Sequence, residues 1–229
     1  MDDPRADPHA PAAAWERIDL PGADVRLLRF CPAAEAQAWF ERLHAEVPWE
    51  RHRLRLFGRE IDAPRLSCWV GDADAVYRYS GKRFVPRAWT PALGELRDRL
   101  NALCGEVYNS VLCNLYRDGA DSMGWHSDDE PELGPRPSIA SLNFGATRVF
   151  RLRHRRDPMA RVELPLAPGS LLLMAGDTQA NYRHCVPKTA RCHGARINLT
   201  FRRVSAVVRD SERREAAIPG RISHAERDP

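Results

Sequence analysis

The chain has 229 residues, 43% of them hydrophobic, with 35 basic and 31 acidic side chains giving a net charge of +4. That suits one large domain with a sizeable core. The longest aliphatic run, Leu171–Ala175, is far short of the ~20 residues of a membrane helix, and the N-terminal MDDPRADPHAP has neither the basic nor the apolar region of a secretory signal.

Residues 1–14 have almost nothing to bury and read as a disordered arm. The first predicted helix is Ala33–Val47, with Ala36, Phe40, Leu43 and Val47 at helical steps. A strand follows at Leu66–Val70 and another at Val76–Tyr79. The second helix is Pro91–Leu103, with Leu93, Leu96, Leu100 and Leu103 on one face, Thr90 as N-cap and Pro91 in the first turn. Short strands then succeed one another at Val111–Tyr116, Ser138–Phe144, Arg148–Arg153, Arg161–Leu164, Ser170–Met174, Tyr182–Val186 and Ile197–Val204. Residues 204–229 are polar and read as a flexible tail, so the folded part is 15–203. Many short strands with Gly/Pro turns argue for a mainly β (α+β) sandwich or jelly roll, with the two helices packed on one face.

Only Lys82 and Lys188 are lysines, so 33 of the 35 cations are arginines. Codon bias in a GC-rich genome is the bland explanation for arginine over lysine, so position along the chain decides whether the arginines mean more. The six cysteines form no CxxC pair, which fits free thiols in a reducing cytoplasm.

The first chemical signal is His126-Ser-Asp128. In extended backbone, residues two apart share a side, so one imidazole and one carboxylate meet a single ion. His184, in the strand-like Tyr182–Val186, completes two histidines and a carboxylate. This is the facial triad of non-haem Fe(II) oxygenases, which leaves positions for a co-substrate and O₂; a zinc hydrolase uses the same ligands.

The second signal, twelve residues after His184, is Arg196-Ile-Asn198-Leu-Thr200-Phe-Arg202. As a strand it places Ile197, Leu199 and Phe201 on the core face and Arg196, Asn198, Thr200 and Arg202 on the other. The polar face is either a wet outer surface or a receptor for a dianion, because arginine matches carboxylates with paired bonds. Asn114-Leu-Tyr116 repeats the pattern with two hydrogen-bonding side chains, or is an ordinary strand. A metal triad beside a double-arginine strand is the layout required by Fe(II) and 2-oxoglutarate, whose distal carboxylate needs a cation.

Six segments carry a resemblance: PRLSCWVGD (64–72), YSG (79–81), NSVLCNLYRDGADSMGWHSDDE (109–130), IASLNFGATRVFRLRH (139–154), GSLLLMAGDTQANYRHCVPK (169–188) and RINLTFR (196–202). In these the sequence resembles the AlkB family of Fe(II)/2-oxoglutarate-dependent dioxygenases, most nearly the members acting on duplex DNA. The resemblance implies a double-stranded β-helix (jelly roll) over about 105–203 and a nucleotide-recognition lid over about 50–90. It implies that His126, Asp128 and His184 bind iron, and that Asn114, Tyr116, Arg196, Asn198, Thr200 and Arg202 hold 2-oxoglutarate.

Phe57, in Leu56-Phe57-Gly58-Arg59, resembles the apolar finger those members push into the base stack. Tyr77, Tyr79 and Ser80 match the lesion pocket and Asp129 a position touching the flipped base, while Val70 stands where an aromatic is common, leaving base preference open. Arg148, Arg151, Arg153, Arg155, Arg156 and Arg161, with His154, form a hairpin that in duplex-acting relatives faces the phosphates.

The implied reaction is oxidative demethylation of 1-methyladenine or 3-methylcytosine in alkylated DNA, releasing formaldehyde, succinate and CO₂. The implied protein is a monomer in the bacterial cytoplasm with the nucleoid. The alternatives are an AlkB-like demethylase of RNA or single strands, and a non-catalytic nucleic-acid binder, against which the intact triad argues.

Overall fold

A computed structural model describes residues 14–56, 59–79, 82–192 and 194–205. In chain order the elements begin with β1 (Glu16–Ile18), β2 (Asp24–Arg29), α1 (Ala33–Glu46), β3 (Arg53–Leu56), β4 (Arg59–Asp62) and β5 (Leu66–Gly71). They continue with β6 (Tyr77–Tyr79), β7 (Lys82–Phe84), α2 (Pro91–Cys104), β8 (Ser110–Tyr116), β9 (Met123–His126) and β10 (Ile139–Gly145). The chain closes with β11 (Arg148–His154), β12 (Arg161–Leu166), β13 (Ser170–Ala175), α3 (Thr178–Asn181), β14 (Tyr182–Val186) and β15 (Arg196–Arg202). A seven-stranded sheet in the order β1-β2-β13-β10-β15-β8-β5 faces a four-stranded sheet in the order β12-β11-β14-β9, and β3–β4 and β6–β7 form separate hairpins. All strand pairs in the two sheets are antiparallel, the arrangement of a jelly roll.

The large sheet is buried on both faces. Its outer face meets the helices: Ile197, Leu199 and Phe201 of β15 cluster with Leu93, Leu96 and Leu100 of α2 and Trp39 and Leu43 of α1. Its inner face meets the small sheet, where Leu172, Met174 and Tyr116 join Phe150, Leu152, Tyr182 and Val186. Truncating a buried leucine here, such as Leu96 to alanine, costs about 2–5 kcal/mol.

Both helices form where the periodicity places them. Thr90 Oγ1 accepts from Leu93 N at 3.3 Å, Pro91 occupies the first turn, and Gly105 ends α2 in the left-handed conformation at φ 67°. The buried faces differ by one residue each. Trp39, rather than Phe40, is buried in α1, and Leu103 is 40% exposed because it lies past the stripe that meets β15. β1 and β2 were not expected, and β2 completes the large sheet beside β13 through a register from Ser170↔Arg29 to Ala175↔Asp24. All six cysteines are free thiols.

The double burial settles the character of β15: its polar face is not wet, and all seven residues are buried. Val70 needs a correction. It is fully buried in the helix-side cluster, facing away from the space between the sheets, so it does not shape a pocket there. Its neighbour Trp69 faces the inter-sheet core instead, with Nε1 donating to Ala75 O at 3.2 Å.

Candidate active site

His126 and His184 are direct register partners on β9 and β14, with ring centroids 4.2 Å apart. Their ligand atoms and those of Asp128 all lie within 4.8 Å of one another. His126 Nδ1 lies 2.8 Å from Gly124 O. A carbonyl only accepts, so Nδ1 carries the proton and the Nε2 lone pair is left for an ion. Phe150 stacks on the His184 ring at 5.2 Å and fixes its plane.

Asp128 is 4% exposed. Its backbone N–H donates to Gln179 Oε1 at 2.9 Å, and Arg202 Nη2 donates to its Oδ1 at 2.9 Å. Burial pushes the carboxyl up, but the Arg202 charge, followed by His184 and His126, overcomes that and holds it at about 2. Burial, reinforced by His126, pushes His184 down to about 3. Asp128 is therefore a carboxylate and His184 a neutral imidazole, the forms in which both ligate a cation.

The same cavity is lined by Asn114, Tyr116, Arg196, Asn198, Thr200 and Arg202. Alternation on β8 and β15 brings them there, with Asn198 opposite Asn114 and Arg196 opposite Tyr116. Arg196 is 1% exposed, with its guanidinium 5.0 Å from the Tyr116 ring centre. Its Nη2 donates to Asn143 Oδ1 at 2.5 Å, while Nε and Nη1 have no hydrogen-bond partner. Burial draws its pKa down, opposed by Tyr116 and aided by Arg148. Two buried donors without acceptors make a receptor for an anion.

The remaining candidates divide. Phe57, Gly58 and Ser80 lie outside the described residues; Tyr77 falls in β6, as does Tyr79, and Arg59 in β4. Asp129 is exposed and pairs with Arg155 at 2.5 Å. Arg155 also donates to Ser127 Oγ at 2.8 Å and Gln179 O at 3.3 Å, so it braces the segment after His126. Arg151 pairs with Glu163 at 2.8 Å, whereas Arg153 and Arg156 are exposed. His154 Nδ1 accepts from Arg156 N and Asp157 N, so it closes the β11–β12 turn.

Arg148 is a correction. It is 2% exposed and points between the sheets, so it cannot reach a phosphate backbone. It donates to Asp118 O at 2.8 Å, Asp121 O at 2.9 Å and Pro187 O at 2.7 Å. These carbonyls belong to the β8–β9 and β14–β15 loops, which also pair through Gly119 N to Cys192 O and Thr189 N to Gly119 O, both at 2.9 Å. A Cβ on Gly119 would fall 1.9 Å from Thr189 O, so the loops close only around glycine.

Sequence reasoning also missed Ser141, Asn143, Gln179 and Arg65. Asn198 Nδ2 donates to Ser141 Oγ at 2.8 Å, and Arg65 Nε to Asn114 Oδ1 at 2.8 Å. Ser141 and Asn143 had a legible signal, two polar residues one step apart in the apolar run Ile139–Phe144. Gln179 and Arg65 had none, because their partners are distant in sequence.

The jelly roll and the buried His–Asp–His cluster define the class, and the family model of the 2OG-Fe(II) oxygenase superfamily matches residues 25–202. Such enzymes use Fe(II), 2-oxoglutarate and O₂. Alpha-ketoglutarate-dependent dioxygenase alkB homolog 3 of Rattus norvegicus is 44% identical over 184 residues, covering 76% of this chain and 62% of its own length. The chain thus spans less than two thirds of that relative. DNA oxidative demethylase ALKBH2 of Homo sapiens is 37% identical over 206 residues, 86% of this chain and 79% of its own. The solved structure of OsALKBH1 shares the fold, with a TM-score of 0.55 at 15% identity over 83% of this chain and 100% of that one. The chain belongs to the AlkB family of 2OG-Fe(II) oxygenases.

Proposed function

We propose that the chain is an oxidative demethylase of alkylated nucleic acid, removing N-methyl groups from bases such as 1-methyladenine and 3-methylcytosine in DNA, duplex included, as a monomer. The observation that carries this is one cavity holding both the His126–Asp128–His184 cluster and the buried, under-partnered Arg196. A zinc hydrolase has no use for the second feature.

In this reading His126 Nε2, an Asp128 oxygen and a His184 nitrogen would hold Fe(II), and the donor set of two imidazoles and a carboxylate fits it. When bound, Fe(II) with 2-oxoglutarate and O₂ supplies an oxidant for a C–H bond. Arg196 takes the distal carboxylate of 2-oxoglutarate through its free Nε and Nη1, with Tyr116, Asn114 and Asn198 lining the same channel. Arg202 keeps Asp128 ionised and aimed at the histidines. Apolar walls from Leu112, Phe150 and Met174 keep water from the cluster.

Within the segment 50–90, whose β5 is itself a strand of the large sheet, the β3–β4 and β6–β7 hairpins serve as the nucleotide lid, with Phe57 as the wedge and Tyr77, Tyr79 and Ser80 in the lesion pocket. Asp129, exposed next to Asp128 and paired with Arg155, suits a lesion that carries positive charge. Arg153 and Arg156, exposed on the β11–β12 hairpin, suit the phosphate backbone.

The test is formaldehyde and succinate release from a methylated oligonucleotide, single-stranded and duplex side by side. Release that needs both Fe(II) and 2-oxoglutarate is expected; no release from either substrate overturns the proposal.

A further inference from the structure

The inner face of the large sheet, which looks into the cavity, carries an unbroken polar row. Register sets Ser67 of β5, Asn114 of β8, Asn198 of β15, Asn143 of β10 and Ser170 of β13 side by side across five strands. Their chain neighbours, Leu142 and Leu199 among them, belong to the helix-side core. A polar row through a sheet buried on both faces is costly unless its groups find partners. Asn114 and Asn198 line the cavity, where a ligand can use them. Asn143 is 1% exposed and is not among the lining residues. It stands one row from Arg196, which lies opposite Gly145 on the same pair of strands.

The Asn143 amide has one orientation open to it. Nδ2 donates to Ser141 O and Ser170 O, both at 3.1 Å. Oδ1 accepts from Arg196 Nη2 at 2.5 Å and from Asn198 Nδ2 at 3.3 Å. Turned over, the amide would set its oxygen against two carbonyls and its NH₂ against a guanidinium. In the orientation seen, both donors and both lone pairs are committed. The bond to Arg196 is charge-assisted and buried, so it is among the strong ones. It ties the guanidinium at one nitrogen, while Nε and Nη1 stay without partners in the cavity wall.

We propose that Asn143 is a positioning residue of the co-substrate site, holding Arg196 in the orientation that presents its free donors to the distal carboxylate of 2-oxoglutarate. The proposal rests on the 2-oxoglutarate reading of the cavity. Asn143 lies behind the lining, so it acts through Arg196 and not by contact. An arginine has many rotamers, and ordering one when a ligand arrives weakens binding. Here that ordering is already done, by an amide that is itself fixed by two backbone carbonyls.

The test is a double-mutant cycle of Asn143→Leu and Arg196→Met. Calorimetry follows 2-oxoglutarate binding to the Mn(II)-loaded proteins without O₂. Asn143→Leu is expected to weaken binding about tenfold beside Arg196, from the ordering cost of one long side chain, and less than twofold beside Met. Mn(II) affinity should stay at the wild-type value throughout. Equal losses in both backgrounds, or a matching loss of Mn(II) affinity, overturn the proposal and leave Asn143 a general support of the sheet. Urea unfolding of the same proteins without metal or ligand reads the contact itself. Asn143→Leu should lower stability more beside Arg196 than beside Met, because it strips a buried charge of its acceptor; no difference overturns the proposal as well. If Asn143→Leu does not fold, Asn143→Ser, whose hydroxyl is one bond too short for Nη2, takes its place in both cycles. Absence of 2-oxoglutarate binding by wild type brings down the reading of the cavity and the proposal together, whereas binding by wild type without coupling brings down the proposal alone.

Discussion

Arg202 Nη2 donates to Asp128 Oδ1 at 2.9 Å, and each side chain is only 5% exposed. The two come from opposite ends of the fold's second half and meet on the cavity floor. A buried pair costs desolvation on both partners, and removing one strands the other charge, typically at about 3–5 kcal/mol. Arg202→Met should therefore destabilise the metal-free protein by that order in urea unfolding, with weaker Co(II) binding alongside. Unchanged unfolding would mean that Asp128 is held by its other neighbours.

Arg196 predicts the opposite sign for stability. Its guanidinium is fully enclosed, with Nε and Nη1 unpartnered and one bond to Asn143. Replacing an under-compensated buried charge by an apolar side chain of similar length is often neutral or stabilising. Arg196→Met should leave the melting temperature of the ligand-free protein unchanged or raise it, while raising the KM for 2-oxoglutarate by two orders of magnitude or more. A large drop in melting temperature would show that Arg196 is chiefly structural.

These two arginines show where the sequence was readable. Strict alternation along Arg196–Arg202 identifies both faces of β15, because a strand has only two sides. It does not say that the polar face is enclosed, since that depends on a second sheet assembled from β9, β11, β12 and β14. The same limit explains Arg148. A basic stretch reads as surface, and only the inter-sheet packing turns one member inward. β1 and β2 were missed because Arg17, Arg26 and Arg29 break the apolar pattern at the edge of the large sheet. The hairpin residues that carry Phe57 remain an expectation from resemblance.

His126 offers a separation of metal loss from folding. Its ring is partly exposed, whereas Asp128 and His184 are buried. His126→Ala should abolish formaldehyde release and Co(II) binding with no change in the circular dichroism spectrum. Retained turnover would remove it from the ligand set.

Phe57 tests the wedge. Flipping a base from duplex costs unstacking that a single strand does not require. Phe57→Ala should lower turnover on duplex at least tenfold while changing single-strand turnover less than twofold. Equal losses on both substrates would assign Phe57 to the lid's own packing.

Arg148 gives the sharpest structural test. Its three carbonyl partners come from two loops, one between Tyr116 and His126 and the other between His184 and Arg196. Both spans therefore join a residue of the His–Asp–His cluster to a residue of β8 or β15 that lines the same cavity. Leaving a buried carbonyl unpaired costs about 1–3 kcal/mol. Arg148→Met should thus lower stability by several kcal/mol in urea, and at a temperature where the variant is folded it should raise the KM for 2-oxoglutarate more than it lowers kcat. Arg148→Lys keeps the charge but not the planar fork that reaches three acceptors, so it should recover only part of both losses. If both variants unfold like wild type, the loops are held by Gly119 and its neighbours alone. If stability falls while the KM stays fixed, the staple supports the fold without positioning the channel.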